Sequence, residues 1–324
     1  MKTYLDCLPC FLRQALEASR MATEDKQVQR KVLDSVMERL PKLSFNATPP
    51  EIAQVVHGLV KDITGNPDPY RETKKIHNQI MLNSYPVIKD IIANSDDRLL
   101  SAVKMAIAGN IIDLGVQNDV KNLEDSIHTA FSSNLIINNY DEFKETLMHS
   151  KFLLYLGDNA GEIVFDKILI EEIKMLKDVE IVFVVRGNPV INDATIEDAE
   201  FVGMKELVRV ISNGSDAPAT ILSQCSPEVR KLFSKADMVI AKGQGNYESL
   251  SEHEGIFFLL KAKCPVVARD LGVNVGDTIL KSNSVRNLIL LRHIVIPRSA
   301  ATRNLTNETL DGKILHSLWS FRMT

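Results

Sequence analysis

An aspartate and an asparagine stand side by side, flanked by glycines, in Gly157-Asp158-Asn159-Ala160-Gly161-Glu162. Such a pair in a tight turn suits two tasks: capping the helix that follows, or offering hard oxygens to a divalent cation. A second polar stretch, RGNPVINDAT, begins at Arg186 and contributes Asn188, Asn192, Asp193 and Thr195. A third, KGQGNYE, sets Lys242 ahead of Gly243, Gln244, Gly245 and Asn246. Between a strand and two glycines, Lys242 looks like a phosphate-binding lysine among free backbone N–H groups. With Asp158, Asn159 and Asp193 as oxygen donors, and no His or Cys in these loops, Mg2+ or Mn2+ is favoured over zinc. A metal with few protein ligands beside a fixed ammonium is what phosphoryl transfer to water requires.

Placing these residues together is a task for the elements around them. Apolar Phe152–Leu156 runs into the first turn, and a helical pattern through Ile163, Val164, Ile168, Leu169, Ile173 and Leu176 follows. Further strands are expected at Glu180–Val185, Val208–Ser212, Asp237–Ala241 and Val266–Arg269, with a weaker one at His293–Ile296. Strands apolar throughout and alternating with helices predict a parallel sheet in a doubly wound α/β domain. Ligands of such sheets bind beyond the carboxyl ends of the strands, where all five polar loops would lie, including Asn213–Asp216 and Arg269-Asp270.

The first third reads as helices. Val28, Val32, Val36 and Leu40 share one face, and Thr48-Pro49-Pro50-Glu51 is a capping box with proline in the first turn. Ile52, Val55, Val56, Leu59, Val60 and Ile63 form an apolar stripe that Gly65 ends, and GNPDPY makes a loop. A helix starts near Tyr70, and another spans Arg98 to about Asp113, with Asn110 and Asp113 on one side of its last turn. The expected division is a helical domain over 1–145 and a Rossmann-like α/β/α metal-binding domain over 146–324.

The 324 residues are 45% hydrophobic and 25% charged, with a net charge of −4, so no broad attraction to nucleic acid is expected. No apolar run approaches the roughly 20 residues of a membrane span, and the start carries no signal-peptide core. The expected compartment is the cytoplasm. Cys7 and Cys10 form a CxxC without a second close pair, so it reads as two small residues on the first helix ahead of a zinc site. GxxxxGK[ST], GxSxG and HExxH do not occur, and the KGQGNYE loop lacks the third glycine of a dinucleotide fingerprint.

GDNAGE, RGNPVINDAT and AKGQGN, in that order, with CLPC, GNPDPY and AGNIIDLG before them, resemble the damage-control phosphatase family, in its prokaryotic branch with an N-terminal CxxC. The resemblance implies a helical region on a Rossmann-like domain. It implies a divalent metal (Mn2+, Co2+, Ni2+ or Mg2+) on Asp158, Asn159 and Asp193, and substrate contacts from Lys242, Gly243, Gln244, Gly245 and Asn246. A further lysine of the family corresponds to Lys261. The substrates it implies are small phosphorylated metabolites. Asp158 and Lys242 are the expected catalytic residues, with a metal-activated water or Asp158 itself as nucleophile. Arg186, Asn188, Glu162, Asn110 and Asp113 are the remaining expected substrate contacts. Two other readings compete: an S-adenosylmethionine-dependent carboxyl methyltransferase, and a non-catalytic binding protein on the same fold. The sequence leaves the oligomeric state open.

Overall fold

The structure is a computed structural model that describes residues 1–109, 129, 131 and 133–283. Asn110, Asp113 and the strand expected at His293–Ile296 lie outside the described residues. The chain opens with α1 (Cys7–Ala22), α2 (Lys26–Arg39), α3 (Pro49–Thr64), α4 (Arg71–Ala93) and α5 (Arg98–Ala108). It continues with β1 (Leu135–Asn138), α6 (Tyr140–His149), β2 (Phe152–Leu156), α7 (Glu162–Leu176) and β3 (Glu180–Val185). Then come α8 (Ile196–Phe201), β4 (Arg209–Ser212), α9 (Pro227–Lys235), β5 (Met238–Lys242) and α10 (Gly243–Leu250). The last are β6 (Ile256–Lys261), α11 (Pro265–Leu271) and β7 (Thr278–Ser282). No described helix is long and apolar enough to cross a membrane.

The seven strands form one sheet in the order β1-β7-β6-β5-β2-β3-β4, parallel except for the β6–β7 pair. From β2 the chain winds one way through β3 and β4, and from β5 it winds the other way to β6. The order therefore reverses between β2 and β5, and a crevice opens where their carboxyl ends part. Alternate residues feed two cores. Leu153, Tyr155, Phe183 and Ile240 pack with α5 and α7 on one face, while Leu154, Leu156, Val184 and Ala241 pack with α9, α10 and α11 on the other. A third cluster joins α1, α2 and α3 through Phe11, Val32, Val36, Ile52 and Val56.

The capping box at Thr48 and Glu51 forms as expected, and Gly65 closes α3 in the left-handed region at φ 70°. One expected strand is not a strand, and three strands were not anticipated. Val266–Arg269 is not a strand but part of α11, which starts on Pro265 with the Cys264 thiol accepting from the Val267 N–H. The strand there is Ile256–Lys261, an unbroken apolar run central enough to be buried on both faces. β1 and β7 were not anticipated, and β1 puts the start of the sheet at Leu135, ahead of the expected boundary at 146.

Candidate active site

The turn after β2 and the turn after β3 are joined through their backbones. Ala194 N–H donates to the Asp158 carbonyl at 2.8 Å, Ala160 N–H donates to the Asn192 carbonyl at 2.9 Å, and Asn159 forms a β-bridge with Asp193. The expected donors Asp158, Asn159 and Asp193 thus come from adjacent turns. Asn159 Nδ2 donates to Asp158 Oδ2 at 2.9 Å and to Glu162 Oε2 at 3.2 Å. Arg186, at the end of β3, is fully buried; its Nε donates to Asp193 Oδ2 at 2.6 Å and its Nη2 reaches Asp158 Oδ1 at 3.5 Å.

Lys242 ends β5, the strand beside β2, and is buried as completely. Its ammonium donates to Glu162 Oε1 at 2.5 Å and to Asp166 Oδ1 at 2.6 Å. The lysine therefore stands beside the acidic turn, as expected, but with its charge committed to two carboxylates instead of left open to a ligand. Asp166 Oδ1 also accepts from the Tyr155 hydroxyl at 2.8 Å. Asp166 was missed by sequence reasoning; it lies one helical turn beyond Glu162, a spacing that puts two acids on one face.

Four carboxylates, on Asp158, Glu162, Asp166 and Asp193, are in contact with two cations, Arg186 and Lys242. The acids outnumber the two cations in contact with them, Lys263 and Lys74 act on them from further away, and a divalent cation would offset the excess. Burial raises the Asp158 carboxyl well above the usual range, Asp193 and Glu162 push it further, and Arg186 and Lys263 pull it down. Burial raises Asp193 too, against the opposing Arg186. Asp166 is pushed up by burial to about 6 even with Lys242 beside it. Burial works against the Lys242 charge, but Asp166 and Glu162 outweigh it and hold the ammonium above its ordinary range. Among the described residues, no three His, Cys, Asp or Glu side chains are grouped to hold a metal by themselves. Asp158 and Asp193 with the Asn159 amide fit a cation that keeps water or ligand oxygens in its shell, as Mg2+ and Mn2+ do.

Two helices begin at this edge, α7 after β2 and α10 after β5, and neither has a side-chain cap on its first N–H groups. Uncapped helix N-termini at adjacent strand ends attract anions. Gly243 opens α10 at φ 79°, where a Cβ would fall 1.9 Å from Asp158 Oδ2. Only glycine lets the two turns approach this closely. Asn246 is buried and holds the loops, donating to the carbonyls of Gly157 and Lys242 and accepting from the Thr220 N–H. Gln244 bonds Glu248, Cys264 and the Lys263 N–H, and Gly245 packs on the Pro218 carbonyl.

The other expected residues scatter. Asn188 is exposed, with its N–H on the Ser215 carbonyl at 3.3 Å. Lys261 is half-buried at the end of β6, opposite Thr278, and the charge acting on Asp158 comes from Lys263. Arg269 pairs with Asp6, and Asp270 accepts from Tyr247; both sit within α11, not in a loop after a strand.

The family model described as "Damage-control phosphatase ARMT1-like domain" matches residues 3–279. The chain belongs to this family. It is 41% identical over 286 residues to an uncharacterized protein of Methanocaldococcus jannaschii, covering 85% of this chain and 93% of that one. It is 36% identical to a protein of Pyrococcus horikoshii named damage-control phosphatase, across 88% of this chain and all of that one. A family member of Archaeoglobus fulgidus with the same name is also 36% identical, over 85% and 97% of the two chains. The crystal structure of the Pyrococcus protein, described as a DUF89 family protein, superposes with a TM-score of 0.82. The mixed α/β fold with its mostly parallel sheet is thus the fold of the family.

Proposed function

We propose that this member of the family is a metal-dependent phosphatase that hydrolyses small phosphomonoesters in the cytoplasm. The observation that carries the reading is the buried acid cluster, in which carboxylates outnumber the contacting cations, at the crevice where the strand order reverses. The name shared by relatives at 36% identity supports it.

Asp158, Asn159 and Asp193 are the residues that would hold a divalent cation, Mn2+, Co2+, Ni2+ or Mg2+. When bound, such a cation supplies positive charge to a phosphate oxygen and acidifies a water. Arg186 holds Asp193 and Asp158 in place and opposes the burial that raises both carboxyls. The first N–H groups of α10, from Gln244 to Asn246, receive the anionic oxygens of the ester. Lys242 holds Glu162 and Asp166 in orientation, and Glu162 in turn positions the Asn159 amide. The Lys263 ammonium acts on Asp158 from exposed chain after β6, where it meets an arriving phosphate. The expected contacts Asn188 and Lys261 have no role in this arrangement. Direct attack of the Asp158 carboxylate on phosphorus is the alternative route; an aspartyl phosphate trapped on Asp158 would distinguish it from attack by water.

The test is hydrolysis of p-nitrophenyl phosphate with Mn2+ or Co2+, before and after exhaustive chelation. We expect turnover that chelation abolishes and metal restores. Turnover indifferent to chelator would remove the cation from the reading. The methyltransferase alternative calls for an acid after β3, the second strand of the β2-α7-β3 unit, to hold ribose, and Arg186 fills that place with its charge already paired.

A further inference from the structure

A cavity of about 180 Å³ separates helices α1 and α3 from the strand-end loops. One wall is formed by Cys10 and Phe11 of α1 and Ala53 of α3. The other is formed by Ile191, Pro218 and Gln244. Ile191 and Pro218 lie in the segments that carry Asp193 and Thr220, and Gln244 is in the first turn of α10, so the cavity lies beside the strand ends that carry the acid cluster. The helices are fastened over it: Lys61 Nζ donates to the Pro189 carbonyl at 2.5 Å, and Gln54 Nε2 to Asp216 Oδ1 at 2.6 Å. The CxxC faces this space, and Cys264 lines it too.

The lining has a definite charge character. Its carboxylates are Asp6 and Glu248, and among the described lining residues there is no Lys, Arg or His. Asp6 is engaged by Arg269 at 2.7 Å, whereas the Glu248 carboxyl accepts from the neutral amide of Gln244 at 3.0 Å and feels the Met1 ammonium, which donates to the Glu248 backbone carbonyl at 2.8 Å. The remainder is apolar or thiol. An organic group entering here finds space and apolar contact, while the cations next to the lining, Arg269 and the Met1 ammonium, are already engaged by Asp6 and by the Glu248 carbonyl.

We propose that this cavity receives the organic part of the substrate and selects esters whose organic part is uncharged, with Glu248 repelling a second anionic group. The proposal rests on the phosphatase reading and names its substrate class: phosphomonoesters carrying a single anionic group. Like charges brought together in a low-dielectric site are a strong source of discrimination. The Cys7–Cys10 pair then serves as a wall of the substrate cavity, which accounts for a motif that the metal site does not use.

The experiment compares two esters of equal length on the metal-loaded enzyme at pH 8, above the pH of about 7 to which burial pushes the Glu248 carboxyl. They are propyl phosphate and 3-(phosphonooxy)propionate, which differ in a terminal carboxylate. We expect kcat/KM to favour propyl phosphate by at least about tenfold, and Glu248→Gln to narrow that ratio severalfold. A ratio measured on one enzyme is insensitive to partial loss of folded protein. Cys10→Trp should reduce turnover of p-nitrophenyl phosphate more than that of methyl phosphate. Equal turnover of the two matched esters, or a ratio unmoved by Glu248→Gln, overturns the inference while the phosphatase reading stands. No hydrolysis of any ester removes both.

Discussion

The Gly161 N–H donates a 2.6 Å hydrogen bond to Asn78 Oδ1, joining α4 to a turn 83 residues further along the chain. The same amide donates from Nδ2 to Asp198 Oδ1 at 2.9 Å, and Asp198 Oδ2 accepts from the Thr195 N–H and from Lys74. One buried side chain thus braces the turn that carries Asp158 and the segment that follows Asp193. Asn78→Leu removes the acceptor for a buried N–H and should cost about 1–3 kcal/mol. It should also weaken Mn2+ binding. Urea denaturation and calorimetric Mn2+ titration check the two effects; unchanged metal affinity would make Asn78 a stability residue alone.

Asp158→Ala and Asp193→Ala should abolish Mn2+ binding and lower kcat/KM at least about a thousandfold, with the circular dichroism spectrum unchanged. A ligand at a hundred times its Kd adds about 2.7 kcal/mol to stability. The wild-type melting temperature should therefore rise with Mn2+, and those of both variants should not. A variant that kept full activity would show the ligand assignment to be wrong.

Lys242→Met leaves Glu162 and Asp166 facing each other without their shared cation. Breaking a buried ion pair by removing one partner costs about 3–5 kcal/mol. We expect a large drop in the denaturation midpoint, partly recovered at acidic pH where Asp166 takes up a proton.

Gly243→Ala places a methyl group where Asp158 Oδ2 lies, at a backbone angle that alanine resists. The expected result is a loss of about 1–3 kcal/mol from backbone strain alone, with Mn2+ affinity reduced more than tenfold by displacement of Asp158. Gly272→Ala, also at positive φ but with open space around it, serves as the comparison, since it should reproduce the strain without the metal defect.

Burial raises Glu248 from 4.5 to about 7 in the folded chain. A raised acid favours the folded state while protonated, so its contribution is complete below pH 4.5 and is lost as pH rises through about 7. Replacing it with a permanently neutral side chain removes that loss. Glu248→Gln should accordingly melt higher than wild type at pH 8 and not at pH 4.5. Melting curves at the two pH values decide the point, and a difference that does not depend on pH would mean that the carboxyl stays charged throughout.

Much of the site could be read from local patterns. Strand, turn and helix around Asp158 follow from five apolar residues, two glycines and a 3.6-residue repeat, and the structure has each of them. The commitment of Lys242 to Glu162 and Asp166 could not be read, because contacts spanning 80 and 76 residues are fixed by strand order, on which local pattern is silent. Val266-Val267-Ala268 misled for a related reason. A short β-branched run suits a strand, but Pro265 and the Cys264 cap start a helix, and the neighbouring run from Ile256 had already taken the place in the sheet. β1 and β7 pair at one edge, where polar Asn138 and Lys281 dilute the apolar signal.

The turns bearing Asp158 and Asp193 are stitched main chain to main chain, so the separation of the two backbones is set before any guest arrives. On the proposed reading, ion capture at such a preformed cradle would involve little rearrangement, with fast association and a small entropy cost. Selectivity among cations would then fall to the dimensions of the opening, which changes to the exposed side chains around it would leave unaltered.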